Sequence, residues 1–109
     1  MQPSMSAQRE VAAFLDDHDM RTAPAYRLLD LSAEVGEVAA DAAKSSDYGE
    51  NPEALTVTDG ELGDALFSLL ALADELGMDA GAALETSIEK YADRVEETGG
   101  AGSDDAQNR

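Results

Sequence analysis

The sequence predicts an all-α fold, a helical bundle of three long helices plus a short N-terminal helix. Apolar residues recur with helical spacing, and no stretch alternates with period two for long. Only 5% of the residues are aromatic, so the core must be built from Leu, Val and Ala, which favours closely packed helices over a sheet sandwich. With 109 residues, the chain suits one domain, expected over 1–97, and would gain stability from assembling as a homo-oligomer.

The helices are expected, in chain order, at residues 6–17, about 25–44, about 58–76 and about 79–97. Pro24 suits the first position of the second helix, and Gly77 is a natural stop for the third. Asp79 can cap the N-terminus of the fourth. Residues 45–54 are rich in Ser, Gly, Asn and Pro and predict a loop, and the small, polar tail at 98–109 predicts disorder.

The charge balance is strongly acidic, with a net charge of -17 from 24 acids against 7 Lys and Arg. This balance argues against a nucleic-acid polymer as partner. Two interpretations stay open and can coexist: an acidic shell of a halophilic protein, screened at high salt, or acids that converge on cations.

The absence of Cys excludes disulfides and Cys-based metal sites. No apolar run is long enough to span a bilayer, and the N-terminal MQPSMSAQRE lacks the apolar segment of a signal peptide. We therefore expect a cytoplasmic protein with no membrane partner.

The third predicted helix, E-L-G-D-A-L-F-S-L-L-A-L-A, carries acids within a mostly apolar stretch. Between Leu62 and Ala73 the only charged residue is Asp64. A helix this apolar is expected to be buried nearly all round. Glu61 and Asp64 are then expected to face the interior or a cleft, where a carboxylate must be paired, protonated or bound to a metal.

The second predicted helix carries a line of acids between two packing faces, with few Lys or Arg nearby. Glu34-Val-Gly-Glu37 matches Glu61-Leu-Gly-Asp64, and each segment places two carboxylates one turn apart on one face. If the two helices pack side by side, four carboxylates can meet, and hard oxygen ligands in that number suit Mg²⁺ or Mn²⁺. Gly36 lies on a face of small residues, which predicts the close approach of a neighbouring helix.

E-x-x-E at 34–37 followed by E-x-x-D at 61–64 resembles the MazG-like nucleotide pyrophosphohydrolases of the all-α NTP pyrophosphatase superfamily. L-x-x-E-V-G-E, E-L-G-D-A-L-F-S-L-L-x-L-A, L-G-M-D and E-K-Y-x-x-R extend the resemblance over about residues 24–95. It implies that magnesium is bound by Glu34, Glu37, Glu61 and Asp64. It also implies cleavage of a nucleoside triphosphate between the α and β phosphates, possible clearance of non-standard nucleotides, and a homodimer or homotetramer with the site near subunit contacts.

The resemblance suggests further roles around this metal set. Either Glu34 or Glu37 would orient or deprotonate the attacking water. Lys90 and Arg94, one turn apart in E-K-Y-x-x-R, would contact the substrate phosphates, and Lys44 is a further candidate for that role. Tyr48, in the predicted loop, is a stacking candidate for the base pocket.

Two features leave the details of the metal site open. Many members of the family carry an extra acid where this chain has Ala33 and Gly60, so the number of metal ions is not fixed by the resemblance. In addition, Thr58-Asp-Gly-Glu61 fits a capping box, in which Glu61 folds back onto the start of its own helix. A competing cap that starts at Thr56 would leave Glu61 free.

Other interpretations of the same residues also stay open. The acids of the second helix fit a solvated face, and the Lys and Arg of E-K-Y-x-x-R fit ordinary ion pairs. Asp30 and Asp41 extend the acidic line outside the motif and are expected to be peripheral. His18 does not follow a glutamate by three residues, which argues against a di-iron site. A phosphoribosyl-ATP pyrophosphohydrolase and a non-catalytic acidic dimerisation module are the alternative functions.

Overall fold

The computed structural model describes residues 2–98, and every regular element in this range is helical. The elements are, in order, α1 Ser6–Asp17, α2 Pro24–Ser45, a 3₁₀ turn Pro52–Ala54, α3 Asp59–Glu75 and α4 Ala80–Thr98. The predicted all-α class is confirmed, and the helix bounds agree closely with the predicted ones. Apart from Thr98, which ends α4, the tail predicted to be disordered lies outside the described residues.

Within residues 2–98, the helices lack the combination of length and apolar character that a membrane crossing requires.

Helices α1, α2 and α3 end in the same kind of left-handed turn. After α3, Gly77 has a φ of 70°, and the N–H groups of Gly77 and Met78 donate back to carbonyls of the last helical turn. This pattern satisfies the terminal carbonyls and confirms Gly77 as the stop. Asp19 and Asp47 hold the corresponding positions after α1 and α2, each with a φ of 53°, a conformation that short polar side chains tolerate.

The starts of α2 and α4 also follow their sequence signals. Pro24 is the first residue of α2. Asp79 Oδ1 accepts the backbone N–H of Ala82 at 3.1 Å and so caps α4. Asp79 also accepts the backbone N–H of Ser4 at 3.1 Å and its hydroxyl at 2.9 Å. The N-terminal segment is therefore tied to the start of α4.

Helix α3 is the central element, because it packs along α2 and against α1. The core in the described range consists of Leu15, Leu70 and Ala71. Gln8 is buried with them: its Nε2 donates to the Met78 carbonyl and its Oε1 accepts the Ala80 N–H, both at 2.8 Å. Gln8 thus holds the backbone of the turn that precedes α4 by hydrogen bonds.

The prediction that α3 is buried nearly all round is wrong for a single chain. Its exposed leucines are Leu62, Leu66, Leu69 and Leu76. Helix α4 of the same chain makes only sparse contacts with α3. One side of α3 therefore has no cover from its own chain within the described residues.

Two arginines join the α1–α2 connection to the end of α3. Arg21 contacts Asp74 at 2.5 Å and Asp16 at 2.8 Å, and Arg27, which is buried, lies 3.5 Å from Glu75. Two of the few positively charged residues are therefore held in ion pairs at the end of α3 that lies away from Glu61 and Asp64.

The expected close approach to Gly36 is also wrong within this chain. A Cβ atom added at Gly36 would meet nothing within 4 Å. The small residues of this α2 face do not indicate contact with another helix of the same chain.

Replacing Gly36 with Ala should raise the free energy of unfolding by about 0.5–1 kcal/mol, because alanine loses less backbone entropy in a helix. Urea unfolding measures the change. Ala40→Gly, on the same face, is the matched control and should lower stability by a similar amount. A loss of stability in Gly36→Ala would show that another chain approaches this position.

Candidate functional site

The candidate site lies along the contact between α2 and α3. On one side Glu34 lies within electrostatic reach of Asp64, and on the other Asp41 lies within hydrogen-bonding reach of Glu61. Because the later acid of α2 faces the earlier acid of α3, the two helices run antiparallel. We call this set the acidic seam; its members are Glu34, Glu37, Asp41, Glu61 and Asp64.

Glu34 is half-buried, as is Glu61 among the other members of the seam. Desolvation, followed by the negative charges of Glu37 and Asp64, raises the pKa of Glu34. The carboxyls of Glu34 and Glu37 also lie within hydrogen-bonding reach of each other. One turn of α2 therefore brings two acids together, and the negative charge of Glu37 favours the protonated form of Glu34.

Asp41 belongs to the seam, so the expectation that it is peripheral is wrong. Its proximity to the Glu61 carboxyl raises the pKa of Asp41, and the same contact lowers the pKa of Glu61. The sequence contained a signal for this position, since Asp41 follows Glu37 by one further helical turn.

Glu61 forms the capping box that begins α3. Thr58 Oγ1 accepts the Glu61 N–H at 3.1 Å, and Glu61 Oε1 accepts the Thr58 N–H at 3.0 Å. The competing cap at Thr56 is therefore wrong. One carboxylate oxygen of Glu61 is held at the start of the helix, and this contact fixes the direction of the side chain beside Asp41.

A groove of about 340 Å³ opens at this end of the seam. Its lining residues are Asp41, Lys44, Ser45, Thr56, Thr58 and Glu61. The positive charge of Lys44 lowers the pKa of Asp41 and so partly offsets the rise that Glu61 causes. Lys44, one of the predicted phosphate contacts, therefore lies beside the seam. Tyr48 does not line the groove and is 77% exposed on the turn after α2, so the structure gives no contact that supports its predicted role in a base pocket.

Lys90 and Arg94 lie away from this arrangement in the single chain. Both side chains approach the ring of Tyr91 on their own helix, at 4.8 and 5.4 Å from its centre. In the described part of the chain, neither residue forms an ion pair with any acid. In a single chain, Lys90 and Arg94 therefore form neither the predicted phosphate-binding cluster nor the alternative local ion pairs.

The seam holds its carboxylates in pairs and not around one point. Among residues 2–98, no group of three or more such side chains is gathered as a metal site. Carboxylates repel one another where no cation lies between them, and this repulsion adds to desolvation at Glu34 and to the Glu61 contact at Asp41 in raising the pKa values of both groups. All the donors are hard carboxylate oxygens, which is the chemistry that Mg²⁺ prefers, so the residues fit magnesium by donor type.

The pKa directions predict how stability depends on pH. Glu34 and Asp41 have raised folded-state pKa values, so they favour folding when protonated, and that contribution is lost as the pH rises through those values. Glu61 and Asp79 have lowered pKa values, so their contribution is lost as the pH falls through theirs. The metal-free protein should therefore be most stable in mildly acidic solution, and its Tm should fall as the pH rises from there toward 7.

The Tm should be measured without metal across this pH range, and again with Mg²⁺ at matched ionic strength. Mg²⁺ should raise the Tm at pH 7 more than at pH 5, because the seam acids must be ionised to bind it. Glu34→Gln combined with Asp41→Asn should flatten the profile above pH 5, and Glu53→Gln, in the loop, should not. A Tm that responds equally to Mg²⁺ and to added NaCl would contradict metal binding at the seam.

The fold and the seam define an all-α protein with paired acids between two antiparallel helices. No family model, curated protein or solved structure matches the chain.

Proposed function

We propose that the chain is a magnesium-dependent nucleoside triphosphate pyrophosphohydrolase, which cleaves between the α and β phosphates to give a monophosphate and pyrophosphate. The observation that carries this proposal is the acidic seam, where Glu34 of one motif lies near Asp64 of the other and Asp41 lies beside Glu61. The resemblance of these motifs to the MazG-like pyrophosphohydrolases supports it independently of the contacts.

In this proposal Glu34, Glu37, Glu61 and Asp64 hold Mg²⁺, with Mn²⁺ as a substitute, and Asp41 joins them from α2. The metal, when bound, neutralises phosphate charge and lowers the pKa of a bound water. Glu34 and Glu37 lie within hydrogen-bonding reach of each other. Such a pair is suited to accept a proton from the attacking water.

The groove beside the seam is the proposed place for the substrate phosphates. Its volume of about 340 Å³ lies within the usual range for small-molecule pockets, roughly 300–1,000 Å³. Lys44 lines it and offers a positive charge. Lys90 and Arg94 would reach the phosphates only when an α4 helix lies near the seam, and this requirement links the proposal to self-association as a dimer or tetramer.

A second candidate is a non-catalytic acidic dimerisation module. It is favoured by the exposed apolar side chains of α3 and α4, which suit a contact between chains whether or not the seam is catalytic. In that case the seam acids contribute only to solubility.

The test is to incubate the protein with canonical and damaged NTPs and dNTPs, with Mg²⁺ or Mn²⁺, at low and high salt, and to measure pyrophosphate and monophosphate. Phosphoribosyl-ATP forms a separate arm, because its selective cleavage would assign the alternative substrate. We expect stoichiometric release of the two products, abolished by a chelator. No release from any nucleotide, together with no Mg²⁺ binding by calorimetry, would leave the dimerisation module as the explanation.

A further inference from the structure

The segment that precedes α1 lies against the first turn of α4. Ser4 donates its backbone N–H to Asp79 Oδ2 at 3.1 Å and its hydroxyl to Asp79 Oδ1 at 2.9 Å. Pro3, the preceding residue, is buried. We call residues 3–5 the strap, because they join the start of α1 to the start of α4.

The strap is also held by α1. Arg9 Nη1 donates to the Pro3 carbonyl at 2.6 Å and to the Ser4 carbonyl at 3.0 Å. The Met5 carbonyl accepts the backbone N–H groups of Gln8 and Arg9 at 3.1 and 3.2 Å. The carbonyls of the strap are therefore held by the first turn of α1, and the donors of Ser4 are held by the residue that caps α4.

Gly81 provides the space that the strap occupies. A Cβ atom added at Gly81 would overlap Ser4 Oγ and would lie 3.4 Å from Met5 Cβ. Glycine is otherwise an unfavourable residue within a helix, and a Cβ atom added at Gly36 meets nothing within 4 Å. The close approach of the strap therefore gives a physical reason for glycine at position 81.

The Asp79 carboxylate binds the helix and the strap at once. Its Oδ1 accepts the Ala82 N–H at 3.1 Å. Hydrogen bonds from the Ala82 N–H and the Ser4 hydroxyl lower the pKa of Asp79, so the group is ionised at neutral pH and its bonds are charge-assisted. Asparagine could keep the helix cap, but its NH₂ group cannot accept the Ser4 N–H. One substitution can therefore separate the cap from the strap.

Helix α4 has few other contacts that fix its direction. It contacts the other helices only sparsely, and none of its residues is buried. At about 1.5 Å per residue, Lys90 lies about 15 Å along the helix from Ala80, and Arg94 about 21 Å. A change of about 20° in direction at the first turn would therefore move Lys90 by about 5 Å and Arg94 by about 7 Å.

We propose that the strap is a positioning element for Lys90 and Arg94, because it fixes the direction of α4 at its first turn and so fixes where both cations lie. This inference rests on the proposed function, in which the two side chains contact the substrate phosphates. Misplacement by about 1 Å can cost an enzyme about 100-fold in efficiency, so shifts of several Å would remove these contacts. In this role the strap touches no reacting atom and acts through α4.

The first test measures the direction of α4 independently of activity. The chain lacks native cysteine, so Asp17→Cys and Glu97→Cys place two spin labels at exposed positions near the ends of α1 and α4. Labelled chains are diluted with unlabelled ones, and double electron–electron resonance then gives the distance within one chain. We expect one narrow distance distribution, which Gly81→Ala and Asp79→Asn each broaden or shift by about 5 Å or more.

Gly36→Ala and Asp59→Asn are the matched controls, because they make the same substitutions in helices away from the strap. The Gly36 position is open, and Asp59 lies in the first turn of α3. Both variants should keep the wild-type distance, and circular dichroism should show equal helix content in all variants. Strap variants that also keep the wild-type distance would overturn the proposal.

The second test compares nucleotide kinetics with metal binding. In Gly81→Ala and Asp79→Asn, KM for the nucleoside triphosphate should rise about 10-fold or more, because phosphate contacts are lost. Mg²⁺ binding measured by calorimetry without nucleotide should stay unchanged, because the seam lies on α2 and α3. Lys90→Gln should raise KM in the wild type but add little in Gly81→Ala, since both changes remove the same contact.

The outcomes separate the strap from the proposed function. An altered distance with an unchanged KM, or additive effects of Lys90→Gln and Gly81→Ala, would overturn the positioning role. An altered distance in a protein that releases no pyrophosphate from any nucleotide would support the control of α4 by the strap and contradict the proposed function.

Discussion

Replacing Asp64 with Asn should lower the rate of pyrophosphate release by about 100-fold or more without unfolding the protein. An amide oxygen binds Mg²⁺ more weakly than a carboxylate does, and the variant removes one of the charges that would hold the ion. Asp64 is exposed and contributes to the raised pKa of Glu34. Its neutralisation should therefore leave the metal-free protein as stable as the wild type, or more stable.

Asp59→Asn is the control for this prediction, because Asp59 lies on the same helix and outside the seam. Product release is measured at saturating Mg²⁺, and the Tm of both variants is measured without metal. Full activity in Asp64→Asn, with equal or greater stability, would place the catalytic site elsewhere. Equal losses in both variants would show that general charge, and not a metal ligand, causes the effect.

Replacing Gln8 with Leu should lower the free energy of unfolding by about 2–6 kcal/mol. Gln8 is fully buried, and it satisfies the Met78 carbonyl and the Ala80 N–H. Leucine has a similar size but no polar atoms, so two backbone groups would lose their partners, and each such loss costs about 1–3 kcal/mol. Urea unfolding monitored by circular dichroism measures the change.

Gln2→Leu is the control, because Gln2 is exposed near the same terminus. Its effect should stay within about 0.5 kcal/mol, as for most surface substitutions. A Gln8→Leu variant as stable as this control would mean that the two backbone groups find other partners. The direction of α4 would then rest on the Gly77 turn and the Asp79 contacts alone.

Much of the fold was predictable because local sequence signals specify it. Helical periodicity predicted all four α-helices, and Pro24, Gly77 and Asp79 predicted where three of them begin or end. Each of these signals acts within about one helical turn. The pairing of α2 with α3 could be anticipated because the two acidic motifs match.

The features of the fold and the site that the sequence did not predict depend on contacts between distant residues. Gln8 looks like a surface residue in a sequence, because nothing local reveals the backbone groups that it satisfies seventy residues away. The apolar character of α3 predicted burial, but composition does not specify whether the cover comes from the same chain. Asp41 was missed because its partner, Glu61, lies on another helix.

The capping box at the start of α3 limits how residue 61 can vary during evolution. Glutamine can make the same hydrogen bond to the Thr58 backbone, so it would keep the helix start while removing the charge. Aspartate is one methylene shorter and reaches back less well. Selection on folding alone would therefore permit either glutamate or glutamine at position 61. If the seam binds metal, selection on catalysis would retain only Glu61.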